Sequence, residues 1–226
     1  MTLASLSKLI DALLDSHLVP ELSGVRQTIH SQVTRLGLAL ELDPLTDAWA
    51  QQNRLDALWL HRIRPSENLP SWLSIISHHA AYDRRFGLAA NPDVWHLLGG
   101  NGPARLLSDR PALSVIALKQ PITPAELAQR LRHRFGGIER LVDGRQPVTI
   151  VALADGMRPE LVAAAASAGA QAYVTGQWRP NAEQALEKLG LSLMSVGHER
   201  QERAGLTDLA QALHVAHPEL AIIIKP

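Results

Sequence analysis

Short apolar runs alternate with helical patterns along most of the chain. Each run is bounded by turn-forming residues, which is typical of buried strands. The predicted strands are 33–42, 56–62, 72–77, 114–120, 147–154, 172–176, 191–196 and 220–226. Apolar residues at helical spacing predict helices at 3–18, 45–53, 92–99, 123–135, 159–169, 181–190 and 206–217. Strands that alternate with helices of this length predict an α/β fold with largely parallel strands.

Local signals support two of these helices and one boundary. Asn91 is a predicted N-cap, and Thr123, with Glu126 three residues later, predicts a capping box. The Gly-rich and Pro-rich stretch 99–112 predicts a loop between two lobes. We therefore place a first α/β lobe at 1–105 and a second at 106–226, and expect the segment 191–226 to pack back on the first lobe.

Composition narrows the functional classes. The 226 residues are 46% hydrophobic and contain 22 Lys and Arg against 22 Asp and Glu, so no overall positive field attracts nucleic acid. No apolar run is long enough to suggest a membrane span. The chain has no cysteine, which excludes disulfides and Cys-ligated zinc and fits a cytoplasmic protein. Any metal must therefore use His, Asp or Glu.

Histidines follow three of the predicted strands. His61 ends the strand at 56–62, His78 and His79 follow 72–77, and His198 follows 191–196. In open α/β sheets, ligands bind outside the carboxyl ends of strands. Taken singly, each histidine is as well explained by packing in the core or at the surface; their repeated placement favours a shared site.

Two carboxylates lie just beyond these histidines. Asp83 follows His79 by four residues, and Glu202 follows His198 by four, a spacing that puts both side chains on one helix face. Imidazole nitrogens with hard carboxylate oxygens suit a divalent metal and leave positions open for water or substrate. An isolated His/Glu pair is more often a solvated helix-face contact.

Four segments also resemble a known family. DALWLHR, SHHAAYDRRFGLAANPDVWHLLG, AQAYVTGQ and LMSVGHERQERAGL occur in the order and context of the type-2 GTP cyclohydrolase I-like proteins, also called the NGG-interacting-factor-three-like family. The resemblance covers most of the chain from about Val33. It implies two α/β lobes with mostly parallel strands flanked by helices, a dinuclear metal site in the cleft between the lobes, and assembly as a homohexameric ring.

The resemblance also implies a ligand set. His61 matches the first residue of a double-histidine motif, His79 to Asp83 matches an H-x-x-x-D turn, and His198 with Glu202 matches a terminal H-x-x-x-E. We predict that His61, Asp83, His198 and Glu202 bind one or two divalent ions (Mn, Fe, Zn or Mg). We assign His79 to proton transfer or to orienting Asp83.

The chain departs from the family pattern at several positions. Arg62 replaces the second histidine of the early pair, and Gln177 replaces a carboxylate. A glycine-rich turn near Asp155 is reduced to DGMRPE, and the domain that some members insert is absent. Since a guanidinium stays charged and has no lone pair to donate, the first change predicts one well-occupied metal or a weak second one.

Two functional classes stay open. The first is a metal-dependent hydrolase that attacks a nucleotide or similar small molecule through a metal-bound water, with opening of the guanine ring of GTP as the activity that the resemblance implies. The second is a non-catalytic metal-binding scaffold or regulatory ring protein. Partners are predicted to be copies of the chain itself and, for the hydrolase, a small-molecule substrate, with no nucleic acid and no membrane.

No P-loop is present for a triphosphate. Candidate phosphate ligands, equally explained as paired surface residues, are Arg62, Arg84, Arg85, Arg200 and Arg203.

Overall fold

The computed structural model describes residues 1–19, 21, 23–64, 68–109, 111–144 and 147–226. The chain forms two compact units, and each is described by itself. Met1–Arg85 and Gly205–Pro226 make up the first unit, and Phe86–Ala204 makes up the second. The boundaries of these units, after Arg85 and after Ala204, differ from the domain boundary that the sequence predicts at residue 105. A division into two lobes at residue 105 stays a prediction.

The first unit is built on a five-stranded sheet. Its strands are β1 (Gly24–Gln27), β2 (Arg35–Ala39), β3 (Ala57–Leu60), β4 (Ser74–Ser77) and β11 (Ala221–Ile224), in the order β1-β4-β3-β2-β11. All pairs are parallel except β1 with β4. Every residue of β3 and β4 is buried, as expected for central strands covered on both faces.

Helices α1 (Leu3–Leu13), α2 (Thr46–Gln52) and α3 (Ala80–Phe86) accompany this sheet. Helix α1 is shorter than predicted, because Asp15 adopts a left-handed conformation (φ 50°) and a 3-10 turn follows at Ser16–Leu18. A single left-handed residue interrupts the α-helical hydrogen bonding. Helix α3 lies where the sequence predicts a turn.

The second unit contains a six-stranded sheet. Its strands are β5 (Arg105–Asp109), β6 (Ala112–Ile122), β7 (Arg140–Val142), β8 (Val148–Ala154), β9 (Ala172–Thr175) and β10 (Ser192–Ser195), in the order β5-β6-β8-β9-β10-β7. The pairs β8–β9 and β9–β10 are parallel, and the remaining pairs are antiparallel. The sheet is therefore parallel at its centre and antiparallel towards its edges.

The helices of this unit are α4 (Pro92–Leu98), α5 (Pro124–Phe135), α6 (Pro159–Ser167) and α7 (Pro180–Leu189). The long helix α8 (His198–Ala216) follows β10 and continues past Ala204, where the first unit resumes. The Asn91 cap of α4 and the Thr123–Glu126 capping box of α5 are both present, as predicted. None of the helices in the described part of the chain has the length and hydropathy needed to span a bilayer.

The predicted α/β class is confirmed as two mixed sheets flanked by helices. All eight predicted strands are present, and the structure adds β1, β5 and β7. Each added strand pairs antiparallel at a sheet edge, where one side of the strand has no partner strand and its residues are more polar. The loop predicted at 99–112 contains β5; Arg110, within the same stretch, lies outside the described residues.

Candidate metal centre

The carboxyl ends of β3 and β4 bring histidines to one edge of the first sheet. His61 follows β3 directly, and its backbone N–H donates to the Ala39 carbonyl at 3.1 Å, which extends the ladder by one residue. His78 and His79 follow β4, the parallel neighbour of β3. Because parallel strands end at the same edge, His61 and the His78–His79 pair lie side by side.

Helix α3 places Asp83 over the same edge. The Asp83 N–H donates to the His79 carbonyl at 3.0 Å, so the two residues are one helical turn apart. Their side chains therefore share a face, and His79 Nε2 lies 3.5 Å from Asp83 Oδ2. The other Asp83 oxygen, Oδ1, lies 2.9 Å from Nε2 of the fully buried His61.

These contacts form a cluster that could hold a metal ion. One ligand atom from each of His61, His79 and Asp83 lies within 4.8 Å of the other two. Ligands of one ion at bonds of about 2.0–2.2 Å lie at most about 4.4 Å apart, so small side-chain rotations suffice. Two imidazoles and one carboxylate suit Zn, Mn or Fe and leave coordination positions open.

The electrostatic surroundings keep the carboxylate ionised. Burial raises the pKa of Asp83, but the His61 hydrogen bond and the nearby His61, His79 and Arg62 groups outweigh that effect and hold the pKa below its usual value. A metal requires the deprotonated carboxylate, and Asp83 is already in that form; an ion bound to both Asp83 and His61 would replace the hydrogen bond between them.

Arg62 lies against the cluster without being able to join it. Its Nε–H donates to His79 Nε2 at 3.3 Å, and its Nη1 lies 2.8 Å from Glu41 Oε1. Glu41 also pairs with Arg64. A guanidinium has donors and no acceptor, so Arg62 adds positive charge beside the cluster and no ligand.

Glu21 completes the surroundings of His79. Its Oε1 lies 3.2 Å from His79 Nδ1, and its Oε2 accepts the Ala80 N–H at 2.6 Å. The two residues are 58 positions apart, in a stretch with no motif, so no sequence signal points to this contact.

His78 is held apart from the cluster. The Trp59 indole Nε1–H donates to His78 Nδ1 at 3.1 Å, and His78 Nε2 lies 3.0 Å from Asp11 Oδ1. Burial lowers the pKa of His78 despite the Asp11 carboxylate, so the ring is neutral. Both nitrogens of His78 are therefore bound by groups outside the cluster.

The remaining predicted ligands lie in the second unit. Helix α8 begins at His198, and His198 Nε2 contacts Glu202 Oε1 at 3.0 Å across its first turn. The Glu202 side chain is 7% exposed and that of His198 49%, so this pair is not the fully solvated contact that the spacing alone would favour. That His198 and Glu202 share a metal with His61 and Asp83 stays a prediction.

Asp155 and Gln177, at the two positions of the second unit where the sequence departs from the family pattern, lie at the carboxyl ends of β8 and β9. Asp155 Oδ1 accepts the Gln201 amide N–H at 3.3 Å, and Gln177 Oε1 accepts from Arg179 at 2.8 Å. Gly176 lies under the Gln201 amide, since a Cβ built there would be 1.7 Å from Gln201 Oε1. The carboxamide of Gln201 therefore crosses the end of β9.

Of the arginines named as candidate phosphate ligands, two have contacts that hold them at carboxylates. Arg203 Nε donates to Glu199 Oε1 at 2.9 Å, and Arg62 is bound to Glu41. For these two residues the interpretation as paired arginines is favoured. Substrate-binding residues therefore stay unidentified.

Comparison with known proteins shows which family the chain is similar to. A model of the Duf34/NIF3 (NGG1p interacting factor 3) family matches residues 27–225. A Pseudomonas aeruginosa protein called GTP cyclohydrolase 1 type 2 homolog is 27% identical over 143 residues, which cover 62% of this chain and 57% of that protein. The chain thus aligns with little more than half the length of this curated relative.

Solved structures show the same fold over the whole chain. Protein ybgI, of unknown function, superposes with a TM-score of 0.80 at 20% identity and covers 100% of this chain and 98% of its own. Reduced HcgD from Methanocaldococcus jannaschii gives 0.75 at 18% identity over 99% and 97%. A Bacillus cereus protein related to NIF3 gives 0.68 at 14% over 100% and 96%. The match over residues 27–225 shows that the chain belongs to the Duf34/NIF3 (NGG1p interacting factor 3) family.

Proposed function

We propose that the protein binds a divalent metal ion through His61, His79 and Asp83 and uses it to hydrolyse a nucleotide or similar small molecule. The observation that carries this proposal is the convergence of three ligand atoms within 4.8 Å at the ends of two neighbouring parallel strands. The low pKa of Asp83 supports it, because the carboxylate is ready to bind a cation.

Each residue has a defined part in this proposal. Asp83 supplies the negative charge, and His61, which is buried, supplies a nitrogen whose position is set by the end of β3. A bound divalent cation supplies Lewis acidity and lowers the pKa of its water towards neutrality. His198 and Glu202 stay predicted ligands from the second unit. The alternative role of His79, in proton transfer, predicts a different outcome for the variant His79→Ala than a role as metal ligand does.

The substrate class rests on family membership. The relative named as a GTP cyclohydrolase 1 type 2 homolog suggests GTP or a related nucleotide as the first compound to test. Self-association as a ring, with a hexamer expected, and a dinuclear centre are likewise proposals that rest on the family. Light scattering at dilute concentration gives the oligomeric state; a mass near that of the 24.6 kDa chain would remove the ring.

The binding experiment uses untagged protein purified without chelators. We expect elemental analysis to find Mn, Fe or Zn, and calorimetry with each ion to show a site that His61→Ala and Asp83→Asn abolish. His214→Ala, which removes an exposed histidine of α8, is the matched control and should bind as the parent does. Equal affinity in parent, His61→Ala and Asp83→Asn would show the assignment to be wrong.

A non-catalytic metal-binding scaffold is the second candidate. The hydrogen bond from Arg62 to His79 Nε2 favours it. This bond occupies the nitrogen with which a neutral His79 would accept a proton, and the donor carries a fixed positive charge. GTP, other nucleotides and simple phosphoesters, each tested with Mn, Zn and Mg, separate the two candidates. Metal binding without turnover of any of them would leave the scaffold as the function.

A further inference from the structure

Two adjacent histidines are held by carboxylates through opposite ring nitrogens. His78 meets Asp11 through Nε2 at 3.0 Å, whereas His79 meets Glu21 through Nδ1 at 3.2 Å. In a neutral imidazole, the hydrogen bond at one nitrogen decides which nitrogen carries the proton. The two rings therefore have opposite tautomers.

The tautomer of His78 follows from its partners. An indole N–H can only donate, so His78 Nδ1 accepts from Trp59 and the proton is on Nε2. That proton is donated to Asp11. Neither nitrogen of His78 has a lone pair left for a metal.

The tautomer of His79 is the reverse. The Arg62 Nε–H can only donate, so His79 Nε2 accepts and the proton is on Nδ1, which donates a hydrogen bond to Glu21 Oε1. The lone pair of Nε2 thus accepts the Arg62 N–H, and Asp83 Oδ2 lies 3.5 Å from the same atom, so a metal can use this lone pair by replacing the Arg62 hydrogen bond.

Glu21 is itself fixed at the start of helix α3. Its second oxygen accepts the Ala80 N–H at 2.6 Å, so one carboxylate binds both the ring of His79 and the backbone that leads to Asp83. A metal-ligating histidine usually donates its other ring N–H to a carboxylate, which sets the tautomer and orients the ring. Glu21 meets this description.

We propose that Glu21 is a positioning residue that keeps the His79 proton on Nδ1 and thereby presents Nε2 to the metal. This inference rests on the proposed metal site. It explains why His79, and not the adjacent His78, belongs to the cluster. Glu21 accepts the Nδ1–H of His79 and leaves its Nε2 atom unprotonated, while Asp11 accepts the Nε2–H of His78.

The test reads the tautomers directly. Metal-free protein with ¹⁵N-labelled histidine rings, held at a pH at which the imidazoles are neutral, gives the protonated nitrogen of each ring from long-range ¹H–¹⁵N spectra. We expect Nδ1–H for His79 and Nε2–H for His78 in the parent. Because the Arg62 Nε–H also keeps Nε2 unprotonated, the effect on the tautomer is read in an Arg62→Ala background, in which Glu21→Ala should move His79 towards the Nε2–H tautomer. Glu21→Ala alone should lower metal affinity by about 10- to 100-fold, because the bound metal replaces the Arg62 hydrogen bond and Glu21 then orients the ring without it.

Two further variants keep the test independent of folding. Glu21→Gln retains an oxygen that can accept the Nδ1–H, so it should keep the tautomer and lose less affinity than Glu21→Ala. Asp11→Asn alters the carboxylate beside His78 and should leave both the His79 tautomer and metal affinity unchanged. A loss of stability alone would not move a proton within the His79 ring.

The outcomes separate this inference from the proposed function. An unchanged His79 tautomer when Glu21→Ala is added to Arg62→Ala would overturn it, as would unchanged metal affinity in Glu21→Ala. If His79→Ala binds metal as tightly as the parent, His79 is not a ligand, and the proposed ligand set fails whatever the spectra of the metal-free protein show.

Discussion

Arg62 and His79 are joined by a hydrogen bond in which the Arg62 Nε–H donates to His79 Nε2 at 3.3 Å. The same nitrogen faces Asp83 at 3.5 Å and is the ligand atom proposed for His79. A metal that binds this atom must replace the Arg62 hydrogen bond, and the guanidinium, held by Glu41, stays nearby as a positive charge. The charge of Arg62 therefore opposes the binding of cations at this cluster.

We predict that Arg62→His raises the metal content. The substitution removes a fixed positive charge and adds a neutral nitrogen at the position where the sequence departs from the family pattern. We expect the parent to bind one ion per chain, or a second one weakly, and the variant to bind a second ion tightly, measured by elemental analysis and anomalous scattering. Arg64→His, which changes the other arginine at Glu41, is the control and should not alter the count. Two fully occupied ions in the parent would contradict this prediction.

His79→Ala separates the two roles considered for this residue. As a ligand, His79 should be required for tight binding, and the variant should lose metal in calorimetry. As a proton-transfer group, it should leave metal binding nearly intact while turnover falls about 10²- to 10⁴-fold. Retained metal together with unchanged turnover would remove both roles.

Glu202→Gln should weaken metal retention. The substitution removes the charge of a nearly buried carboxylate that contacts His198 at 3.0 Å, and we expect a loss of at least about tenfold in affinity. Glu199→Gln is the matched control, because Glu199 is exposed on the same helix and pairs with Arg203. Equal affinities for Glu202→Gln and the control would show that the α8 pair does not contribute to metal binding.

Asp56 gives a prediction about stability and pH. Burial raises the pKa of Asp56. Hydrogen bonds from the Thr34 N–H and hydroxyl and from the Arg35 N–H lower it by more, so the pKa lies below the usual value. The ionised carboxylate thus stabilises the fold above the unfolded-state pKa of about 3.9, and this stability is lost as the pH falls through the folded-state pKa.

The corresponding variant is Asp56→Asn. We expect it to lower the free energy of unfolding by about 1 kcal/mol at neutral pH, because neutral hydrogen bonds replace charge-assisted ones. In urea titrations the difference from the parent should shrink at acid pH. The exposed Glu219→Gln should show no such pattern. A difference that stays constant from neutral to acid pH would refute the linkage.

Gly176→Ala tests the crossing of Gln201 over β9. The added Cβ would lie 1.7 Å from Gln201 Oε1, so the amide must leave Asp155, and we expect a loss of about 1–3 kcal/mol in unfolding free energy. Adding Gln201→Ala should recover part of that loss. Gly156→Ala, whose Cβ would approach only Gln177 Oε1 at 3.9 Å, is the control. Equal melting curves for both single variants would contradict the prediction.

The central strands could be predicted because a strand that is buried on both faces consists of a continuous run of apolar residues, as in β3 and β4. The edge strands β1, β5 and β7 carry mixed polarity, so no apolar pattern predicts them. The positions of His61 and Asp83 after strands were visible for the same reason, since a strand end is a local feature. Helix α3 was missed because its seven residues lack a clear apolar period.

The roles of adjacent residues could not be predicted from spacing. His78 and His79 differ through Trp59, Asp11 and Glu21, which come from other elements. A tautomer depends on the atoms that surround a ring in space, and a linear pattern contains no record of them. For the same reason the sequence did not identify Glu21 at all.

The pairing of β11 with β2 has a consequence for synthesis of the protein on the ribosome. The second unit is one continuous stretch of the chain, Phe86–Ala204. The first sheet needs residues from both sides of that stretch, because Ala221–Ile224 covers the edge of β2. His61, His79 and Asp83 all emerge early, yet the sheet that carries them keeps an open edge until more than a hundred further residues have been added. During that interval the side of β2 that faces away from β3 has no partner strand, and its apolar residues are open to mispairing.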